Sequence, residues 1–553
     1  MANLSQQKRD RMIEFLRQLK EEHIDDDKSL IALSEIENEL LAKKYGLIWE
    51  QHEEQVDIDM RDNVPVFTEI KEREIVADES SDSYNFLLEG DNLHSLKLLE
   101  KTHRGRIDVI YIDPPYNTGG TDFRYNDECV DKTNAFRHSK WLSFMSERLR
   151  IMRELLSPNG MIYISIDDIE QAPLTMLCNE IFGEENHVET IIWKSKYGAG
   201  AKTVGFISVH EYILCYSRNP ISDLTSELDE EGQSKYNKKD EYFDTRGGYL
   251  TQPLMTTSLA DRPNLQYSIE YQGVTIHPKK QWVWSKERLE EAIKNNEVVF
   301  NLQKDGTYSV RAKKYLYDDN GNVRRGKPIS IMNGPFTQDG TTEIREIFGT
   351  EDAFKFTKPS ELIRFFIALE INGLSSKDAI VLDAFAGSGT TAEAVLKQNK
   401  NDGGNRKFIL CTNNENNICE EVTYERIKRV IRGYSDKEGI LSNVKYYKTD
   451  MIPKTSDDED YLVGDKLLEH IREMVQLENL ISLDDNKYLI LLTDEDADEL
   501  EKQPERLKMC KGIYISSQVF LTSSQKKLFK GVTIKQIPDY YFEEELREVS
   551  EIW

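Results

Sequence analysis

Two short stretches carry residue types whose spacing could do chemistry. The first is Asp113-Pro114-Pro115-Tyr116, directly after the apolar run Val109 to Ile112. Proline donates no ladder hydrogen bond and fixes φ, so the run reads as a buried strand that stops abruptly. The four residues then stand at a strand's carboxyl end, where open α/β sheets bind their ligands. The Asp113 carboxylate and the Pro114 carbonyl, free of sheet pairing, are two acceptors on a rigid turn, and Tyr116 adds a flat face for stacking. Such acceptors stabilise positive charge developing on an amine nitrogen. The second stretch is VLDAFAGSGTT at 381–391, in which a strand delivers Asp383 into a loop holding Gly387 and Gly389, with a helix directly after. Glycine lets backbone approach a ligand closely, and a helix N-terminus suits polar or anionic groups. Two nucleotide motifs fail on detail. No lysine stands where a Walker A loop needs one, and Ala392 occupies the place of the third glycine in a dinucleotide fingerprint.

The elements that position these stretches follow from periodicity. From Asn85 onward, short apolar runs alternate with helical patterns, as in NFLLEGDNLHSLKLL, DVIYIDPPY, WLSFMSERLRIMRELL, GMIYISID and HEYILCYS. That alternation predicts a largely parallel sheet. The rhythm breaks between about 218 and 345, in Tyr- and Trp-bearing pieces of mixed β and α character, and resumes with PSELIRFFIALEI, AIVLDAFAG, TTAEAVLKQ and RKFILCT. One sheet built from two sequence blocks around an insertion is the expectation. The expected organisation is an N-terminal helical region and linker over 1–80, then a first α/β block over 81–219 with the Asp-Pro-Pro-Tyr turn. An insertion over 220–345, a second α/β block over 346–434 with the glycine loop, and an acidic C-terminal domain over 435–553 complete it.

Length and composition bound the rest. A chain of 553 residues with 26 Tyr and 21 Phe is folded and exceeds a single compact core. No apolar run reaches the roughly 18 residues of a membrane span, and MANLSQQKRDRMIEF lacks the apolar core of a signal peptide. Six scattered Cys show no metal-ligand spacing, so reduced thiols in a cytoplasmic protein are expected. The net charge of −27 argues against coating nucleic acid through the overall field. The charge is uneven, however. It is −10 over 1–80 and −10 over 435–553, while 191–345 carries a slight positive balance, so an anionic partner is expected at the insertion.

An Asp-x-Phe-x-Gly-x-Gly loop joined to an Asp-Pro-Pro-Tyr strand end resembles the amino-methyltransferases that modify exocyclic nitrogens of DNA bases. Here the Asp-Pro-Pro-Tyr turn comes first and the glycine loop 270 positions later, an order similar to the β class of that family. GDNLHSLKLL, IDVIYIDPPYNTGGTDFRYND, RPNLQY, FKFTKPSELI and FILCTNNEN further resemble the modification subunits of type III restriction–modification systems. The resemblance implies a Rossmann-like S-adenosyl-L-methionine-dependent methyltransferase sheet with an inserted target-recognition domain, a helical N-terminal region and a small C-terminal α/β domain. It implies methyl transfer to adenine N6, with Asp113, Pro114, Pro115 and Tyr116 at the reaction centre, because relatives acting on cytosine N4 usually carry Ser where Asp113 stands. The base must then leave the duplex, with Phe123 and Tyr125 as candidates for the other wall of its pocket. For the cofactor the resemblance implies Asp91, Lys358, Pro359, Ser360, Asp383, Phe385, Gly387 and Gly389, with Asn413 or Glu415 at the ribose. No acid directly follows that last strand, a departure from the family pattern.

The insertion is the natural reader of sequence, since Arg reads guanine edges, Asn or Gln reads adenine edges, and Lys mostly meets phosphate. It offers Arg246, Arg262, Asn264, Gln266, Lys279, Lys280, Arg324, Arg325 and Lys327, and Arg262 to Tyr267 is equally open to being a structural corner. Trp282 and Trp284 alternate on one strand-like piece, so at least one belongs to a core. The partners implied are double-stranded DNA, a second copy of the chain, and a helicase–nuclease restriction subunit. A solitary type II or orphan adenine methyltransferase is the alternative, and a catalytically silent sequence reader is disfavoured by the intact motifs.

Overall fold

The computed structural model describes residues 4–24, 26–41, 49–119, 124–125, 128–129, 133–198, 205–257, 260–456, 461–483, 486–538 and 541–549. Its centre is a ten-stranded sheet. In chain order the strands are β1 (Asn63–Glu69), β2 (Asn85–Glu89), β3 (Ile107–Ile112), β4 (Leu156–Ile166) and β5 (His187–Lys194). They continue with β6 (His210–Ser217), β7 (Ile331–Asn333), β8 (Ile380–Asp383), β9 (Lys407–Thr412) and β10 (Val444–Pro453). Across the sheet the order is β1-β10-β2-β9-β8-β3-β4-β6-β5-β7. From β10 to β4 every neighbour is parallel. Strand β6 runs antiparallel to both β4 and β5, and β1 runs antiparallel to β10.

The central strands carry apolar runs such as residues 109–112 because helices cover both faces. Side-chain alternation splits each strand between two cores: Ile110 and Ile112 enter one, Val109 and Tyr111 the other. This is the expected α/β architecture, assembled from two blocks around an insertion.

The sheet exceeds the boundaries expected from the sequence in three places. Strand β1 comes from the N-terminal linker, β7 from the end of the expected insertion, and β10 from the expected C-terminal domain. All three are edge or near-edge elements with weak apolar signals. In β10 the pattern is broken by Lys445, which is buried and paired with Glu69 and Glu74. The insertion itself holds a three-stranded antiparallel sheet (Tyr249–Pro253, Val298–Leu302, Tyr308–Tyr315) and the helix Lys286–Lys294. Its separate core includes Trp282, Leu289 and Val310. The C-terminal segment forms a parallel three-stranded sheet from Tyr488–Leu491, Gly512–Ile515 and Thr533–Gln536. It shares the main core through Met474, Tyr514, Tyr541 and Phe542. Among the described residues no helix is long and apolar enough to cross a membrane.

Candidate active site

Strands β8 and β3 are neighbours whose crossovers leave in opposite directions. Helix Thr390–Asp402 leads from β8 to β9 on one side, and helix Arg137–Leu155 leads from β3 to β4 on the other. Between their carboxyl ends the loops diverge and open a crevice, the topological switch point of the sheet. A cavity of about 550 Å³ lies there, and both motifs line it: Asp113 and Pro115 from one, Asp383, Phe385 and Gly387 from the other. Asp91, Lys358, Asn413 and Glu415 line it too. Two stretches far apart in sequence thus face one space.

Asp113 sits in a cluster of charge. The Lys358 ammonium lies 2.9 Å from Asp113 Oδ2 and 3.4 Å from Glu211 Oε2, and donates to the Tyr116 hydroxyl at 2.8 Å. That hydroxyl donates in turn to Glu211 Oε2 at 3.1 Å. Burial pushes the Asp113 carboxyl above its ordinary range, against the pull of Lys358. Burial alone would lower the Lys358 ammonium, but Asp113 and Glu211 outweigh it and hold it above its usual value. Burial, then the carboxylates of Asp113 and Glu211, raise the Tyr116 phenol well above its ordinary range, so it remains a donor. The other Asp113 oxygen, Oδ1, is buried with no hydrogen-bond partner among the described residues. The turn is braced from below, where the buried Trp141 indole donates to the Pro115 carbonyl at 2.7 Å. Asn117, in the left-handed region at φ 57°, fixes the exit of the turn by donating to buried Glu170 at 2.5 Å.

Asp383 is engaged by its own loop. Its Oδ1 accepts from the Phe385 amide at 2.9 Å and its Oδ2 from the Thr391 hydroxyl. Neither partner carries charge, and burial pushes the carboxyl up to about 7. Gly387 and Gly389 take φ of 48° and 78°, conformations that side chains resist. A Cβ on Gly389 would also meet Thr423 Cγ2 at 3.2 Å. Behind the loop the buried Arg426 guanidinium donates to the Ser388 and Thr390 hydroxyls at 2.9 and 2.7 Å and pairs with Glu393. The loop's shape is thereby held from inside the protein.

A second cluster closes the far wall. Asp91 caps helix Asn92–His103 by accepting from the Leu93 amide at 2.7 Å. Fully buried Arg148 stacks over Phe144, its Cζ 3.7 Å from the ring centroid, and reaches Glu54 at 2.6 Å, Asn92 at 2.5 Å and Asp91 at 3.3 Å. Glu54 belongs to the N-terminal linker and also lines the cavity. Burial raises its carboxyl while Arg148 opposes that shift.

Other residues singled out from the sequence fall elsewhere. Pro359 and Ser360 start the helix after Lys358 but do not line the cavity; Ser360 faces Glu343 and Lys397 instead. Pro114 is buried in the turn, and Gly389 caps the helix behind the loop. Phe123 lies outside the described residues, as does the side chain of Tyr125. In the insertion, Arg262 to Tyr267 forms a structural corner with an exposed polar side. Leu265 is buried and the Tyr267 hydroxyl donates to the Trp284 carbonyl at 2.9 Å, while Arg262, Asn264 and Gln266 face outward. Trp282 is core. Arg324 and Arg325 bond backbone carbonyls, Arg325 also pairs with Glu370 at 3.1 Å, and Arg246 pairs with Glu297 at 3.1 Å, so these three serve internal contacts. Lys327 and Lys280 pair with Asp223 and Asp261.

Sequence reasoning missed Glu54, Trp141, Phe144, Arg148 and Glu211. Two signals were present: an acid inside the apolar strand HEYILCYS, and an arginine on the apolar face of WLSFMSERLRIMRELL.

A family model described as DNA methylase matches residues 107–425, and the chain belongs to that family. The type III restriction-modification enzyme StyLTI Mod subunit of Salmonella typhimurium is 33% identical over 383 residues, covering 64% of this chain and 57% of that one. The EcoPI Mod subunit of Escherichia phage P1 is 32% identical over 391 residues, covering 61% and 59%. The type II methyltransferase M.KpnI of Klebsiella pneumoniae is 33% identical over 360 residues, covering 61% of this chain and 82% of that one. The chain thus spans under three fifths of the length of these two type III relatives.

Proposed function

We propose that this chain is a site-specific DNA methyltransferase that uses S-adenosyl-L-methionine to methylate adenine N6 in double-stranded DNA. It acts in the cytoplasm as the modification and specificity subunit of a type III restriction–modification system. One observation carries the reading: Asp113 presents a buried carboxylate oxygen, without a hydrogen-bond partner among the described residues, in the cavity that the glycine loop also lines. The residues fit the cofactor. A left-handed glycine at 387 opens backbone to a ligand, Phe385 and Phe354 offer apolar surface, and the carboxylates of Asp91, Asp113 and Glu54 favour a cation. When bound, S-adenosyl-L-methionine supplies an electrophilic methyl on a positively charged sulfur.

The protein's part is to make a poor nucleophile competent. The adenine amine delocalises its lone pair into the ring. Asp113 Oδ1 and the Pro114 carbonyl accept its two hydrogens, localise that pair and stabilise the charge that develops on nitrogen. Tyr116 stacks on the extruded base, since a base inside a duplex cannot reach such a pocket. Asp91 stands near the adenine of the cofactor, and Asn413 or Glu415 takes its ribose hydroxyls. Arg262 and Asn264, outward on the insertion, read base edges. A second copy of the chain and a helicase–nuclease complete the assembly.

The test is single-molecule sequencing of DNA from a methylation-free host expressing the protein, beside an Asp113→Ala control. N6-methyladenine on one strand of a short asymmetric motif, absent from the control, is the expected result. A palindrome modified on both strands favours a solitary type II enzyme, which the 82% coverage of M.KpnI also supports. Soluble protein that leaves adenines unmodified overturns the reading.

A further inference from the structure

Glu211 reaches the reaction centre from neither motif. It is the second residue of β6, the strand that runs against both its neighbours. Because β6 is reversed, it begins where β4 and β5 end, so its first residues arrive at the sheet edge that carries Asp113. There Glu211 pairs in register with Trp193 and turns its carboxylate to Lys358 and Tyr116. Two carboxylates, Asp113 and Glu211, thus share one ammonium, with the Tyr116 hydroxyl bridging Lys358 to Glu211. Lys358 and Glu211 are largely shielded, with side chains 10% and 12% exposed, so water does little to screen the group.

Geometry gives each member a distinct task. The Lys358 ammonium meets Oδ2 of Asp113, and Oδ1 has no hydrogen-bond partner among the described residues. Without Glu211 the ammonium would be drawn wholly onto Asp113, where it competes with the target amine for the carboxylate. With Glu211 the three charged groups retain one unmatched negative charge. A sulfonium is a cation, whereas the thioether left after methyl transfer is neutral, so that charge discriminates between the two.

We propose that Glu211 is the positioning residue for Lys358 and sets the charge of this site, keeping Asp113 Oδ1 open to the amine and favouring the sulfonium over the spent thioether. The inference rests on the methyltransferase reading above.

The experiment has two arms on the full chain. Calorimetry gives the dissociation constants of S-adenosylmethionine and S-adenosylhomocysteine for wild type and Glu211→Gln. Single-turnover methylation of chromosomal DNA from a methylation-free host gives rates for Glu211→Gln, Lys358→Met and the double variant. The thioether-to-sulfonium ratio of dissociation constants should fall roughly tenfold in Glu211→Gln. The second substitution should add little to the loss caused by Lys358→Met, because the two residues act as one unit. An unchanged ratio, or losses that simply add, overturns the proposal. Glu211→Asp keeps the charge at shorter reach: wild-type selectivity with a lowered rate supports the positioning role, and lost selectivity overturns it. A wild-type chain that binds neither compound and transfers no methyl overturns the underlying function instead.

Discussion

Asp113 and Asp383 are acids at the ends of adjacent strands, yet their surroundings separate them. Asp113 faces the Lys358 cation, whereas Asp383 accepts from an amide and a hydroxyl. Replacing Asp113 with Asn keeps its shape and removes the charge that, in the proposed mechanism, stabilises the amine in the transition state. Single-turnover transfer should fall by about 10² to 10³, with the affinity for S-adenosylmethionine changed far less. Asp383 makes a prediction about stability. Its carboxyl rises from 3.8 to about 7 on folding, so across that window the unfolded chain has released a proton that the folded chain still holds. The folded state binds more protons, and stability therefore falls as pH rises from about 4 to about 7, then levels. Asp383→Asn lacks this share, about 4 kcal/mol in the limit. Urea melts between these pH values should show a flatter profile for the variant, and an unchanged slope would discount the burial of this carboxyl. Both acids were legible in the sequence because each lies in a contiguous motif with its own turn chemistry. Glu211 and Arg148 were not, because their partners lie 147 positions away at Lys358 and 94 away at Glu54. No local pattern encodes such a meeting.

At the level of elements, the legible parts were those buried on two faces. Strands β2, β3, β8 and β9 centre on short apolar runs (86–88, 109–112, 380–382 and 408–411) since helices cover both sides. Strands β1, β7 and β10 lie at or near the edges, and in β10 a buried lysine neutralised by two glutamates interrupts the run. The glycine loop shows the reverse case, a conformation that residue type announces in advance. At Gly389 the left-handed backbone disfavours any side chain by roughly 1–2 kcal/mol, and Thr423 crowds the added carbon. Gly389→Ala should therefore shift the loop and weaken S-adenosylmethionine binding by about tenfold, measured by calorimetry. Arg426 and Glu393 still hold the loop from behind, so the melting temperature should move little by comparison. Equal affinity in the variant would mean that the cofactor does not depend on this turn.

Across the whole molecule, the insertion and the C-terminal segment differ in how they join the sheet. The C-terminal segment contributes Leu467, Met474, Leu477, Tyr514 and Tyr541 to the main core. Each large apolar side chain so buried is worth roughly 1.5–3 kcal/mol, and a handful together rival the roughly 5–15 kcal/mol that holds a typical domain folded. Ending the chain at Ser456 should therefore yield insoluble protein and no trimmed enzyme. The insertion has a separate core, and its two ends meet. The Ser226 amide donates to the Gly326 carbonyl and the Gly326 amide to the Ser226 carbonyl, each at 2.9 Å. Adjacent ends and a private core mark a unit that can be removed without opening the rest. Replacing residues 227–324 by a short Gly-Ser linker, which keeps Arg325 on Glu370 and the Ala368 carbonyl, should leave a protein that melts cooperatively and binds S-adenosylmethionine with wild-type affinity. Methylation of DNA should vanish in the same protein, because the proposed base readers Arg262 and Asn264 are gone while Asp113 and the glycine loop remain. Calorimetry with the cofactor and sequencing of host DNA separate the outcomes. Retained methylation at the original motif would place sequence reading outside the insertion, and lost cofactor binding would show that the insertion supports the sheet it interrupts.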